Sequence, residues 1–241
     1  MNRILRIKLI ANPKKEWALK LSKKVAQLLK RNGYAISDKS AEITVCIGGD
    51  GTILHANHEK KISGAVLAIG SDSSHICQVN RKEWRKILNL IKTKKTERHI
   101  LLKTKIGGKK YNAINDVVVH THDYRVVEIE VNVINSGSKY LSKSHWFEGD
   151  GIIVSTPLGS SGYAYSAGGE IINPAGKKLI QTVPICAYKR RFKPHLINVK
   201  SEVLISADRT ADFIIDGIYI KRLKPGEKVF VKAEGFVDFL R

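Results

Sequence analysis

The residues best suited to chemistry in this chain stand at one turn, Gly48-Gly49-Asp50-Gly51-Thr52, directly after the apolar run Ile43-Thr-Val-Cys-Ile47. Glycines lack Cβ atoms, so they reach positive φ and let a bulky anion lie against the backbone. The unpaired N–H groups at the start of a helix favour phosphate at the same place. Gly48, Gly49, Gly51 and Thr52 are therefore candidate phosphate-binding residues, with Thr52 expected to open the helix. A carboxylate held among phosphates, here Asp50, suits metal binding or proton abstraction. A plain strand-to-helix turn capped by Asp50 fits the same pattern.

A second block runs from Glu148 to Gly169 and packs glycines, hydroxyls, Asp150 and two tyrosines around the short apolar stretch Ile152-Ile-Val154. Hydroxyls and exposed N–H groups are good partners for ribose and phosphate oxygens, and Tyr163 could stack on a base or hydrogen-bond to it. A serine-rich loop leading into a small-residue helix would look the same. A third fragment, Asn115-Asp116, precedes Val117-Val-Val119 and by itself is only a turn.

The elements that would position these residues can be read from period. Residues 3–10 read as a strand closed by Asn12-Pro13, and Trp17, Leu21, Val25, Leu28 and Leu29 space as one helical stripe ending at Gly33. Residues 43–47 read as a strand buried on both faces of a parallel sheet, whose carboxyl end is the usual ligand side. A second helix, a strand at 65–69, the polar loop 70–74 and a helix face of Trp84, Ile87, Leu88 and Ile91 complete a βαβ alternation. Lys94–Arg98 reads as a charged crossing. Beyond it Val127, Ile129, Val131 and Val133 alternate with Glu128, Glu130 and Asn132, as in a strand with one buried face. Further strands are expected near 100–105, 115–119, 151–155, 203–206, 212–220 and 229–240, with Asp216-Gly217 as a hairpin signal. The expected class is α/β. A Rossmann-like domain over 1–97 is followed by a β-rich, sandwich-like domain over 98–225, and strands in 226–241 return to the first domain.

Composition sets the class of partner. The chain has 241 residues with 42 Lys plus Arg against 22 Asp plus Glu, a formal charge of +20. That excess favours anionic partners. Hydrophobic residues at 43% suit an ordered domain. Cys46, Cys77 and Cys186 show no metal or disulfide spacing, which fits a reducing cytoplasm. No stretch approaches the ~20 apolar residues that cross a bilayer, and no nucleic-acid motif accompanies the charge.

Taken together, Gly48–Gly51, Asn115-Asp116 and the run Asp150–Gly169, with its Thr156-Pro-Leu-Gly-Ser-Ser-Gly-Tyr163, resemble the NAD kinase family. Asn173-Pro174, Pro184-Ile-Cys186, Asp216-Gly217 and the opening Ile7–Pro13 are similar as well, so the resemblance spans most of the chain. It implies phosphorylation of the 2′-hydroxyl of NAD's adenosine ribose by ATP, another nucleoside triphosphate or polyphosphate, with Mg²⁺ or another divalent metal. The resemblance implies that Asp50 is the base or metal-assisting carboxylate that activates that hydroxyl, and that Asp50, Gly51, Asn115, Asp116, Asp150, Ser161, Tyr163, Ser166 and Asp216 bind NAD. It further implies a homodimer or homotetramer. Asp116 stands where the family usually has Glu, Ser161 replaces Thr, and Gly162 replaces Ala. The loop Gly70–Gln78 lacks the pocket aromatic common in the family, leaving His75 as a stand-in. Two other readings remain open at this point: a non-catalytic NAD(P)-binding protein, and a lipid or sugar kinase sharing the glycine turn.

Overall fold

The computed structural model describes residues 4–135, 143–173 and 178–241. Pro174, one of the residues carrying the family resemblance, lies outside them. The chain forms two compact units, residues 1–99 with 237–241, and residues 100–236.

The first unit is a parallel sheet with helices. Its elements in order are β1 (Arg6–Ala11), α1 (Glu16–Arg31), β2 (Ala35–Ile36), β3 (Ile43–Ile47), α2 (Asp50–His58), β4 (Ala65–Gly70) and β5 (Val79–Asn80). A 3₁₀ turn at Arg81–Lys86 leads into α3 (Ile87–Thr93). The sheet order is β2, β1, β3, β4, and Phe239 near the chain's end pairs in parallel with Val66 of β4. All five residues of β3 are buried, as expected of a strand covered on both faces. Ala18, Leu21, Val25 and Leu29 of α1 pack with Ile7, Val45, Leu67, Ile87 and Ile91 in one core. Gly33 ends that helix at φ 81°. Two expectations change. The helix after the glycine turn opens at Asp50, two residues before Thr52, with Gly49 and not Asp50 at its cap position. Thr96–Arg98 belong to a strand instead of a crossing loop, with Glu97 paired to Arg241 and Arg98 to Asp238.

The second unit is a β-sandwich. Its strands are β6 (Thr96–Ile106, entering from the first unit), β7 (Lys109–Ala113), β8 (Asp116–Thr121), β9 (Val127–Ile134), β10 (Lys143–Gly149) and β11 (Gly151–Ser155). After the short helix α4 (Tyr163–Ser166) come β12 (Leu179–Ile185), β13 (His195–Asn198), β14 (Glu202–Ala207), β15 (Ala211–Ile215), β16 (Ile218–Leu223) and β17 (Val229–Leu240). One antiparallel sheet runs β13-β12-β11-β8-β15-β16. Another joins β10, β9, β14 and the first half of β17. Their inner faces share a core that includes Val117, Val119, Ile152 and Val154 from one sheet and Ile129, Val131, Val203 and Ile205 from the other. The alternation in β9 holds with one exception: Asn132, expected outside, is buried. Among the described residues no helix is long and apolar enough to cross a membrane.

Candidate active site

The glycine turn lies at the carboxyl end of β3. The N–H groups of Gly48 and Gly49 both donate to Ile69 O, at 3.0 and 3.3 Å, which ties the turn to the end of β4. Gly48 (φ 147°) and Gly49 (φ 97°) occupy backbone space that other residues rarely enter. A Cβ on Gly48 would also sit 2.4 Å from Thr52 Oγ1 and 2.5 Å from Asn12 Cβ. Thr52 is 5% exposed, and its Oγ1 has no hydrogen-bond partner among the described residues.

Asp50 is held by the loop that follows β4. Its carboxylate accepts from the backbone N–H of His75 (2.7 Å), Ile76 (3.0 Å) and Cys77 (3.3 Å). Burial, and then the charge of Asp50, push the Cys77 thiol well above its usual range. His75 itself is exposed, so the loop contributes its backbone to Asp50. Beside it Ser71, Ser74, Cys77 and Asn80 line a small polar hollow of about 200 Å³.

In the second unit the Asp216-Gly217 dipeptide makes the tight turn between β15 and β16, with both residues at positive φ. The hairpin signal is realised. Its carboxylate accepts from the N–H groups of Ile114 (2.9 Å), Asn115 (2.7 Å) and Asp116 (3.1 Å), so the turn clamps the Asn-Asp segment. The Thr156-Pro-Leu-Gly159 stretch grips the segment as well. Thr156 N donates to Asn115 O at 2.9 Å, Thr156 Oγ1 donates to Ile114 O at 2.7 Å, and Gly159 lies so close that a Cβ would come within 2.3 Å of Asn115 O.

The clamped segment lines a pocket of about 420 Å³ with His120, Tyr163 and Asp216. The Asn115 Oδ1 atom is buried and has no hydrogen-bond partner among the described residues. Asp116 is 6% exposed, and burial, followed by the charge of Asp216, pushes its carboxyl up to about 7. Tyr163 is 44% exposed; burial raises its phenol, and Cys186, Asp116 and Asp150 add to the effect. Asp150 accepts from the Cys186 thiol, and this bond is the first cause of that thiol's raised pKa.

The structure thus brings Asn115, Asp116, Tyr163 and Asp216 together, with Asp150 acting on Tyr163. Ser161 and Ser166 do not line this pocket: Ser161 is exposed at the end of a 3₁₀ turn, and Ser166 Oγ donates to Gly162 O at 3.2 Å. His120 is a lining residue that no motif marks, its Nδ1 lying 2.8 Å from Thr121 O. Among the described residues no three His, Cys, Asp or Glu side chains gather as a metal site.

Residues 114–235 match the family model described as ATP-NAD kinase C-terminal domain. An NAD kinase from Fusobacterium nucleatum is 32% identical over 225 residues, covering 87% of this chain and 80% of that protein. An NAD kinase from Archaeoglobus fulgidus, solved in complex with ATP, shares the fold with a TM-score of 0.81 at 20% identity, covering 98% of this chain and 94% of that one. Yeast NADH kinase complexed with NADH has a TM-score of 0.79 at 20% identity, covering 100% and 84% respectively.

Proposed function

The chain belongs to the NAD kinase family, and on that premise we propose that it phosphorylates the 2′-hydroxyl of the adenosine ribose of NAD, making NADP. The observation that carries this reading furthest is the unpaired Asn115 Oδ1 in the pocket beside Asp116. A buried amide oxygen without a donor costs about 1–3 kcal/mol, so a ligand that supplies one gains that much on binding. An adenine amino group or a ribose hydroxyl is such a donor. Tyr163 offers a ring face and a hydroxyl to the same ligand, and Asp150 and Asp116 are acceptors for sugar hydroxyls.

Transfer forms a bond between O2′ and the terminal phosphorus of the donor and breaks the bridging P–O bond behind it, so ADP or a shortened polyphosphate leaves. The proton of O2′ passes to Asp50, whose role as base is supported by its place at the end of β3 in the glycine turn. The three N–H bonds to its carboxylate fix its orientation. Gly48, Gly49, Gly51 and Thr52 are read as the cradle for donor phosphate. Magnesium belongs to this proposal as the companion of the donor's phosphates and not as a resident of the protein, since such ions are commonly held largely by substrate phosphates. A cytoplasmic homodimer or homotetramer is part of the same reading, supported by the resemblance; light scattering tests the subunit number.

The test is NADP formation by the purified chain given NAD or NADH, Mg²⁺, and either ATP or polyphosphate. Asp50→Asn is run alongside. Turnover that disappears in the variant is expected. No NADP with any donor would refute the activity, and full turnover by the variant would remove Asp50 as base.

A further inference from the structure

Lys15 lies in the loop between β1 and α1, and its side chain reaches the glycine turn. Its Nζ donates to Gly48 O at 2.7 Å and lies 3.7 Å from the point a Cβ on Gly49 would occupy. The same ammonium stands 6.0 Å from the centre of the Trp17 ring, over which the Arg81 guanidinium lies at 5.2 Å. One indole thus gathers two cations beside the turn. Among the described residues no carboxylate forms an ion pair with Lys15. A lysine ammonium has three donors. One goes to Gly48, leaving two donors and an uncompensated charge at the turn.

A neutral carbonyl alone repays a lysine poorly, because ordering its long side chain costs more than one such hydrogen bond returns. One further group at the turn awaits a polar partner, and a hydroxyl that already accepts from Ser71 N at 3.1 Å stands beside it. Thr52 Oγ1 is buried and unpaired in the first turn of the nine-residue α2, against Gly48. Ser74 Oγ stands 3.2 Å from the Cβ position of Gly49.

We propose that Lys15 is a phosphate-binding residue of the donor site, bridging the Gly48 carbonyl and an oxygen of a condensed phosphate chain. The assignment rests on the reading of the glycine turn as the donor's cradle. The chemistry it recognises is shared by the triphosphate of ATP and by inorganic tripolyphosphate.

The test compares Lys15→Gln, Lys15→Ala and Lys15→Arg with the wild type, using calorimetric binding of ATP and of tripolyphosphate, with KM for donor and for NAD measured beside it. Glutamine keeps an N–H donor for Gly48 but not the charge. Loss of a charge-assisted phosphate contact should weaken both phosphates by about 10- to 100-fold in the Gln and Ala variants. Arg should restore most of the affinity, and KM for NAD should stay unchanged. A Gln variant that binds both phosphates like the wild type would show that Lys15 only pins the turn and would overturn the proposal. Equal weakening of NAD and donor would overturn it too, as would weakened ATP with unaltered tripolyphosphate, or a wild type that binds neither phosphate. A wild type that binds both but makes no NADP sinks the kinase reading instead, and the binding comparison still decides the role of Lys15.

Discussion

Asp116→Asn isolates an electrostatic cost built into the pocket. Burial and the neighbouring Asp216 raise the Asp116 carboxyl from 3.8 to about 7. A carboxyl moved that far corresponds to about 4 kcal/mol. The sign follows from where the proton sits. Between pH 3.8 and about 7 the folded chain holds a proton on Asp116 that the unfolded chain has already released, so stability falls as pH rises through this window. Below the window both states are protonated, and above it both are ionised. Asparagine matches the neutral acid in size and cannot ionise. The stability difference, variant minus wild type, should therefore grow by up to about 4 kcal/mol between pH 4 and pH 8. Any change in hydrogen bonding caused by the amide adds an offset at every pH and leaves the slope intact. Urea unfolding followed by far-UV circular dichroism, without nucleotide, measures the difference directly. A difference that stays flat from pH 4 to pH 8 refutes the strained-carboxylate account. Adding Asp216→Asn to wild type gives an internal check. Burial is the larger cause of the shift, so the window should narrow from its upper end without closing.

Three other substitutions separate fold from chemistry. Gly51→Ala meets nothing within 4 Å at a helical position, so it should raise stability by up to about 1 kcal/mol; if phosphate lies against that bare backbone, KM for the donor rises in a protein with a higher Tm, and an unchanged KM takes Gly51 out of the site. Gly48→Ala combines a φ of 147° with contacts near 2.4 Å to Thr52 Oγ1, so a loss of about 2–3 kcal/mol is expected; urea midpoints equal to wild type would show that the turn relaxes freely. Asp216→Ala strands the N–H groups of Ile114, Asn115 and Asp116 and should cost about 3 kcal/mol along with NAD affinity; unaltered hydrogen exchange at those three amides would contradict the clamp.

The parts legible in the sequence are those where residue type and environment agree. β3 and β11 are apolar runs because both their faces are buried, and β9 alternates because one face is. β12 escaped reading because it carries Gln181 and Thr182 into the core; Gln181 is tolerated there since its amide both accepts from Glu170 N and donates to Glu170 O. The site divides along the same line. Asp50 announces itself by type and by its place at a strand's carboxyl end, whereas Asn115-Asp116 stands out only through the family resemblance. Their partners do not, because Asp50 is held by backbone N–H groups of residues 75–77, and a backbone amide has no signature in a sequence. Lys15 is hidden for a different reason. It is one lysine in a chain with 42 Lys and Arg, and only the pairing of β1 with β3 carries its loop to Gly48, 33 positions away. Asp216 shows how the two kinds of information join. At a turn residue with positive φ the backbone favours Gly, Asn or Asp, and of these only Asp brings a charged acceptor for three amides. The hairpin thus narrows the residue types favoured at that position, and the three amides it must hold favour Asp among them.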